Sequence, residues 1–404
     1  MRTILLTGPG GSGRTTLAAA TALTAARDGT PTLVLSTDRT DTLGAALGTP
    51  TGPTPVSVPG TPHLTAWRPD AAERFRADLT AFQDRGANVL DFLGASRLDP
   101  EELTPLPGAE ELALLRALRD AALSEAYDLL VVDLPPTPQA LALLALPDEL
   151  RRYLRRLLPA ERQAARALRP VLGRLAGVPM PAEWLYEAAA RWDVELAAVT
   201  AVVEDRDTVV RLVAEPGPAG ADAVRAATVG LALRGLRADA LIANRVLPEP
   251  STDPWLASVT AQQRKTLEEW QETHALHQVP HLGHDPRGTG DLAALHAPVV
   301  NRTPATVEWP VTDLSESRPP SSSGETPTAD DRVLVWHIPL PGAIRDELDL
   351  VRRGDELVLT VGPFRRIVPL PSALRRCSVA GAALRDGELR IRFAPDPDLW
   401  PQGR

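Results

Sequence analysis

The sequence predicts an α/β fold, a mostly parallel sheet flanked by helices, followed by a small all-β sandwich. Three observations predict it. Apolar, β-branched runs in the first 300 residues are separated by Ala- and Leu-rich helical segments, and strands joined through helices pair in parallel. Residues 301–331, rich in Pro, Ser and Thr and without periodicity, read as a linker. From Arg332 the chain turns into short strands with Gly-Asp and Asp-Gly at the turn positions, the pattern of an antiparallel sandwich over residues 332–396 whose strands are expected to supply their own core.

Taken in order, RTILLTG (Arg2–Gly8) is a short buried strand, and the Ala-rich TTLAAATALTAARDG that follows the next loop has high helix propensity and stops at Gly29. PTLVLSTD (Pro31–Asp38) is a second strand, which places Asp38 at its carboxyl end, where ligands of α/β sheets bind. Residues 50–65, rich in Pro and Thr, read as loop, and 70–95 and 109–126 as helices. In YDLLVVDLPPTPQALALLALP a buried strand ends at Asp133, and a proline-stiffened turn leads into a helix. Residues 148–200 form a helical insert, with Leu150, Leu154, Leu157 and Leu158 on one face and Arg151, Arg152, Arg155 and Arg156 on the other, a pattern that reads first as a solvated helix face. RLVAEP and ADALIANRVLP are two further buried strands, and VPHLGHDPRGTGDLAALH reads as strand, loop and helix. In the sandwich the expected strands are VLVWHIPL, ELDLVRRGDELVLTVG, FRRIVPLP and DGELRIRF.

The loop after the first strand carries the chemistry. LLTGPGGSGRTT fits the spacing of a phosphate-binding loop, in which backbone N–H groups cradle phosphates, a lysine reaches the β- and γ-phosphates and a hydroxyl ligates Mg²⁺. Here Arg14 stands at the lysine position. An aspartate at the end of a neighbouring strand, Asp133, is what such a site needs to hold the metal shell through water. The sequence thus predicts a P-loop NTPase.

Composition bounds the alternatives. The chain of 404 residues is 44% hydrophobic with a formal net charge of −9, which argues against general nucleic-acid binding because that needs a broad basic surface. Cys377 is the single cysteine, so one chain cannot form a disulfide or a thiolate zinc site. Without a signal peptide or a long uncharged apolar run, a cytoplasmic protein is expected. Lys265 is the only lysine among 43 basic residues, so Arg14 could follow a general preference for arginine; a P-loop cation is nevertheless a geometric part and not a generic charge.

Three motifs in order, GPGGSGRTT, STDRTDTL and DLPPTPQALALLALP, resemble those of the ArsA-type ATPases, the arsenite-pump ATPases and their relatives that target tail-anchored membrane proteins. PGAEEL, RLVAEP and NRVLP add weaker echoes, and the resemblance spans residues 1–300. It implies that Gly8, Gly10, Gly11, Ser12, Gly13, Arg14, Thr15 and Thr16 surround the phosphates of ATP or ADP. By the same resemblance Thr15 ligates Mg²⁺, Asp133 holds its shell partly through water, and Asp38 orients or deprotonates the attacking water. Pro136 and Thr137 line switch II, Asn244 reads adenine, and the loop around Asp285 to Arg287 closes over the base. The carboxy-terminal segments ALRDGELRIRF, with Ala383, Gly387 and Leu389, and DELVLTVGPFRRIVPLP resemble the α-crystallin-like domain of small heat-shock proteins, which some ArsA-type ATPases carry as a fusion.

The sequence also departs from the family pattern. Pro9 replaces a second lysine that reaches the partner's phosphates across a dimer, Arg14 replaces the first, and Pro138 and Gln139 replace Gly-His in switch II. A trans cation is worth roughly 10³–10⁵ in rate by analogy with arginine fingers. The expected function is an ATPase or nucleotide switch, slow by itself, dimeric with itself or a related ATPase, and acting on a protein client or membrane partner. Two other readings stand beside it: a nucleotide-binding scaffold or chaperone subunit that pairs with an active paralogue, and the soluble ATPase of an anion pump.

Overall fold

The computed structural model describes residues 1–36, 38, 40–85, 96–158, 183–248, 252–299, 307–314 and 333–396. They fall into two compact units, one of Met1–Gly217 with Ala240–Thr303 and one of Pro218–Asp239 with Pro304–Arg404.

The first unit is built on a sheet of eight described strands: β1 (Arg2–Thr7), β2 (Thr32–Ser36), β3 (Val56–Ser57), β4 (Leu64–Trp67), β5 (Leu129–Asp133), β6 (Thr208–Ala214), β7 (Ala238–Val246) and β8 (Leu276–Pro280). Their order is β3-β4-β2-β5-β1-β6-β7-β8. β1 pairs in parallel with β5 on one side and β6 on the other, and β2 pairs in parallel with β5, so the carboxyl ends of these strands share one edge. β1, β2 and β5 are buried almost throughout, which is why they read as unbroken apolar runs. Helix α1 (Arg14–Arg27) is Ala-rich because it is enclosed: Leu17 through Leu23 are all buried, and all but Thr21 join one core with Ile4, Leu6, Val34 and Val131.

Two differences from the expectation concern the sheet. Residues 50–65 are not all loop, because β3 and β4 lie there and β4 pairs in parallel with β2, Leu33 opposite Thr65. Such short strands leave little sequence signal; burial of Leu64 and Ala66 against neighbours distant in sequence stabilises β4. The expected helix over 70–95 is seen as α3 (Ala71–Arg85), following α2 (Thr42–Leu47), and its remainder lies outside the described residues. α4 (Ala109–Leu123) precedes β5, and α5 (Thr137–Leu157) and α6 (Glu183–Val203) flank a stretch of the helical insert that also lies outside them. On the Arg-rich face, Arg151 Nε donates to Asp193 Oδ1 at 3.0 Å, joining α5 to α6.

The second unit has an antiparallel four-stranded sheet, β14-β15-β10-β9, and a three-stranded one, β11-β12-β13. The strands are β9 (Val311–Asp313), β10 (Leu334–Pro339), β11 (Leu348–Arg353), β12 (Glu356–Val361), β13 (Phe364–Pro369), β14 (Cys377–Arg385) and β15 (Glu388–Pro395). β14 was not legible: it is rich in Ala and Gly, and it bulges between Val379 and Gly381. The expected linker contains β9, held to β10 with Val311 opposite Trp336. The sandwich core is also not made by its own strands alone. Helix α7 (Pro218–Leu233), which lies between β6 and β7 in sequence, contributes Val229, Ala232 and Leu233 to the cluster of Leu357, Leu359 and Phe393, and Arg366 Nη1 donates to the Leu233 carbonyl at 2.9 Å.

Candidate nucleotide site

The site forms at the carboxyl edge of β1, β2, β5 and β7. The phosphate loop leaves β1 at Thr7, whose hydroxyl donates to the Pro135 carbonyl at 2.9 Å, while Thr137 N donates to the Gly8 carbonyl at 3.1 Å. One side-chain and one backbone hydrogen bond thus tie the loop to the turn that follows β5. Gly8 is required by close approach, since a Cβ there would collide with the Val213 carbonyl oxygen. Gly13 has φ of 86° and would place a Cβ on the Asn244 amide, so the residue before α1 is glycine on two grounds. Gly10 and Gly11 meet open space, and Gly11 has φ of 79°. Ser12 is buried and its hydroxyl lacks a hydrogen-bond partner among the described residues.

Behind the loop, Asp133 is the centre of a buried network. Its Oδ2 accepts from the Thr15 hydroxyl at 2.7 Å and from the Ser36 hydroxyl at 3.0 Å, while Oδ1 is buried without a hydrogen-bond partner among the described residues. Arg14 donates from Nη1 to the Leu134 carbonyl and lies 4.0 Å from Asp133 Oδ1. Burial pushes the Asp133 carboxyl up, and the hydroxyls of Thr15 and Ser36 with the Arg14 charge only partly oppose it. Burial lowers Arg14 from the usual arginine value, against the attraction of Asp133 and Asp38.

Asp38 lies in a more open setting beyond β2. Desolvation would raise it, but it accepts from Thr40 N at 2.9 Å, from the Thr40 hydroxyl at 2.7 Å and from the Thr42 hydroxyl at 3.0 Å; these bonds, with Arg14 nearby, hold it below the usual carboxylate range. Asp41, three residues on, has a structural role instead. In a left-handed conformation at φ of 49°, it caps α2 through Gly44 N, takes hydrogen bonds from Thr51 and pairs with Arg68.

On the far side of the loop an open cleft of about 250 Å³ is lined by Gly13, Thr16, Asn244, Arg245, His281 and Asp285. Its floor is the end of β7, where the register against β8 shifts between Ala243 and Val246 and Arg245 adopts φ of 56°. A non-glycine residue held there stores on the order of 1–3 kcal/mol. The bulge turns two successive side chains toward the loop: Asn244 Nδ2 donates to the Ser12 carbonyl at 2.8 Å, and Arg245 Nη1 to the Gly11 carbonyl at 3.3 Å.

The structure therefore gathers the loop residues, Arg14, Thr15, Asp133 and Asp38 on one side and Thr16, Asn244 and Asp285 on the other. Pro136 and Thr137 stand at the start of α5, with the Thr137 hydroxyl buried. Arg287 precedes α9 (Gly288–Ala294), its backbone N–H bonded to Asp291 Oδ2 at 3.0 Å, and does not line the cleft. Sequence reasoning missed Ser36, Glu215 and Arg245. Ser36 could have been found from its place two residues before Asp38 in STDRTDTL; Glu215 and Arg245 lie in the weaker echoes RLVAEP and NRVLP, which give neither a role.

The residues fit a hard divalent cation. The donor set is oxygen, Thr15 Oγ1 and the Asp133 carboxylate, and the orphaned Oδ1 is a buried acceptor that a metal-bound water would satisfy.

Comparison with known proteins agrees with this geometry. A family model described as anion-transporting ATPase matches residues 1–300, and one described as an HSP20-like domain found in ArsA matches residues 331–393. An uncharacterized protein of Streptomyces coelicolor is 72% identical over the full length of both chains. A Mycobacterium tuberculosis protein is 33% identical over 99% of this chain and 97% of its own. An Aquifex aeolicus protein named as an arsenical pump-driving ATPase is 25% identical over 97% of this chain and 99% of its own. The chain belongs to the ArsA family of anion-transporting ATPases and carries the HSP20-like domain found in that family.

Proposed function

We propose that this chain binds ATP and ADP with Mg²⁺ and works as a slow ATPase or nucleotide switch acting on a protein client or membrane partner. The observation that carries the reading is the Thr15–Asp133–Ser36 network, whose buried Oδ1 takes no hydrogen bond among the described residues, set directly behind a glycine-rich cradle. Gly8 and Gly10 to Gly13 present backbone N–H groups to the phosphates, Pro9 between them having none to give, and Thr15 and Asp133 hold the metal shell. When bound, Mg²⁺ neutralises charge that develops on the phosphate oxygens. Asp38, kept ionised by its threonine hydrogen bonds, orients or accepts a proton from the attacking water. Asn244 and the loop carrying Asp285 and Arg287 receive the base. The compartment we infer is the cytoplasm; among the described residues no helix is long and apolar enough to cross a membrane.

Nucleotide titration with and without Mg²⁺, run beside steady-state hydrolysis, tests this. The expected result is Mg²⁺-dependent binding of ADP and ATP with slow turnover; no binding at millimolar nucleotide overturns it.

A specific observation favours a second reading, a subunit completed by an active relative: Pro9 has no cation to offer a partner, and Arg14 is engaged with the Leu134 carbonyl. Pro9→Lys with Arg14→Lys is then expected to raise the rate of the isolated protein by at least about tenfold, a fraction of what a trans cation supplies. An unchanged rate in a folded double variant means that Arg14 already works in place of lysine. The role of a pump's soluble engine has less support, because Cys377, the single cysteine, is buried and no cysteine cluster can take a soft metalloid within one chain. With one cysteine the chain also lacks the paired cysteines of a thiolate zinc bridge, so a homodimer or a heterodimer with a related ATPase would use other surfaces.

A further inference from the structure

Arg245 belongs to none of the three motifs, yet its guanidinium meets three separate segments. Nη1 donates to the Gly11 carbonyl of the phosphate loop at 3.3 Å and pairs closely with Glu215 Oε1, just past the end of β6. Nη2 lies 3.9 Å from Oδ1 of Asp285, in the loop before α9. A fork of N–H donors can serve acceptors in several directions at once, which an ammonium on a flexible stem does poorly. The conformation that delivers it is strained and braced: the Arg245 carbonyl accepts from Gln263 Nε2 at 3.2 Å, and Leu247 N donates to Gln263 Oε1 at 2.9 Å, across the residue with φ of 56°. Gln263 lies in helix α8 (Pro254–Thr273).

The charge arrangement says what this arginine is for. Glu215 and Asp285 place two carboxylates around one guanidinium, so its charge is already compensated and the local balance is negative, unlike a cation held out for phosphate. Its contacts instead join the phosphate-side loop to the base-side loop along one wall of the cleft that both line.

We propose that Arg245 is a positioning residue of the nucleotide site, tying Asp285 of the base-side loop to Gly11 of the phosphate loop so that the nucleoside half of a nucleotide adds to the affinity of its phosphates. The proposal rests on the nucleotide-binding reading above. Loss of Arg245 releases the base-side loop, while the glycine cradle, Thr15 and the Asn244 bond to the loop remain.

Calorimetric titration of the full chain with ADP and with inorganic pyrophosphate, both at fixed Mg²⁺, tests it. In Arg245→Gln, ADP binding is expected to weaken about tenfold or more and pyrophosphate binding by less than about threefold. Asp285→Asn is expected to act in the same direction, and the double variant to be no weaker than Arg245→Gln alone, the non-additivity of residues acting as a unit. Arg245→Lys, which keeps the charge and loses the fork, is expected to follow Arg245→Gln. Equal losses for ADP and pyrophosphate, additive losses in the double variant, or full affinity in Arg245→Lys each overturn the proposal. Thermal unfolding monitors the fold; if Arg245→Gln does not fold, Glu215→Gln and Asp285→Asn carry the same comparison. A wild-type chain that binds neither ligand overturns the nucleotide reading itself, whereas one that binds both with variants that leave ADP unchanged overturns only the role of Arg245.

Discussion

Asp133 ends β5 and Asp38 follows its neighbour β2, and the two are the same residue type, yet the fold gives them opposite characters. Asp133 is inside the protein, fixed by two hydroxyls, and pushed up by burial. Asp38 is exposed enough to reach solvent, and its threonine hydrogen bonds hold it down. Pairs of carboxylates whose environments push their titration apart are suited to different roles. A buried, immobile carboxylate suits a structural and metal-holding task; an ionised carboxylate at the mouth suits contact with water. The difference comes from position: Asp133 is the last residue of a strand enclosed by neighbours on both sides, and Asp38 is two residues past the end of one.

Substitutions at the two positions sharpen this contrast. The largest expected effect is on turnover. Asp38→Asn should lower ATP hydrolysis by about 10²–10⁴-fold, the usual range for a positioned acid–base group, with nucleotide affinity nearly unchanged and stability at neutral pH only slightly lowered. If hydrolysis survives in that variant, the two carboxylates do not divide the work as argued. Asp133→Ala should behave differently, since it leaves the Thr15 and Ser36 hydroxyls without their acceptor. We expect a loss of about 1–3 kcal/mol in unfolding free energy by denaturant titration. Nucleotide binding that no longer responds to Mg²⁺ should accompany it. A stable Asp133→Ala whose affinity still depends on the metal breaks the comparison from the other side.

The smallest effects lie in the pH dependence, and their signs are opposite. The folded chain depresses Asp38, so its contribution to stability is present above the ordinary aspartate value, about 3.9, and is lost as pH falls through the folded value. The advantage of wild type over Asp38→Asn should therefore shrink on acidification. The folded chain raises Asp133, so its ionised form is penalised, and stability is lost as pH rises from the ordinary value through the folded one. The unfolding midpoint of Asp133→Asn relative to wild type should accordingly rise over that interval. Parallel trends in the two variants would show that burial does not separate the two groups.

The second unit carries a related lesson. Its turns and alternating strands were legible because Gly-Asp and Asp-Gly punctuate them, and the HSP20-like match covers residues 331–393. What no local pattern announced was that α7, inside residues 1–300 where the parallel fold was expected, shares the sandwich core through Val229, Ala232 and Leu233. An apolar helix face has the same periodicity whichever sheet it covers, so its partner cannot be read from it.

By itself, the sequence determined the strand–loop–helix order that makes a phosphate cradle, the glycines at positions 8 and 13 of that loop, and two aspartates at or just past strand ends, Asp133 and Asp38. These are local properties, set by backbone geometry and by periodicity within a few residues. The tertiary structure alone decided that Ser36 completes the Asp133 network, that the Asp133 carboxyl is pushed up while that of Asp38 is pulled down, and that a strained Arg245 reaches Gly11, Glu215 and Asp285 together. Those depend on which distant segments the sheet brings to one edge and on how much solvent it leaves there, and neither is encoded in the residues adjacent to any one of them.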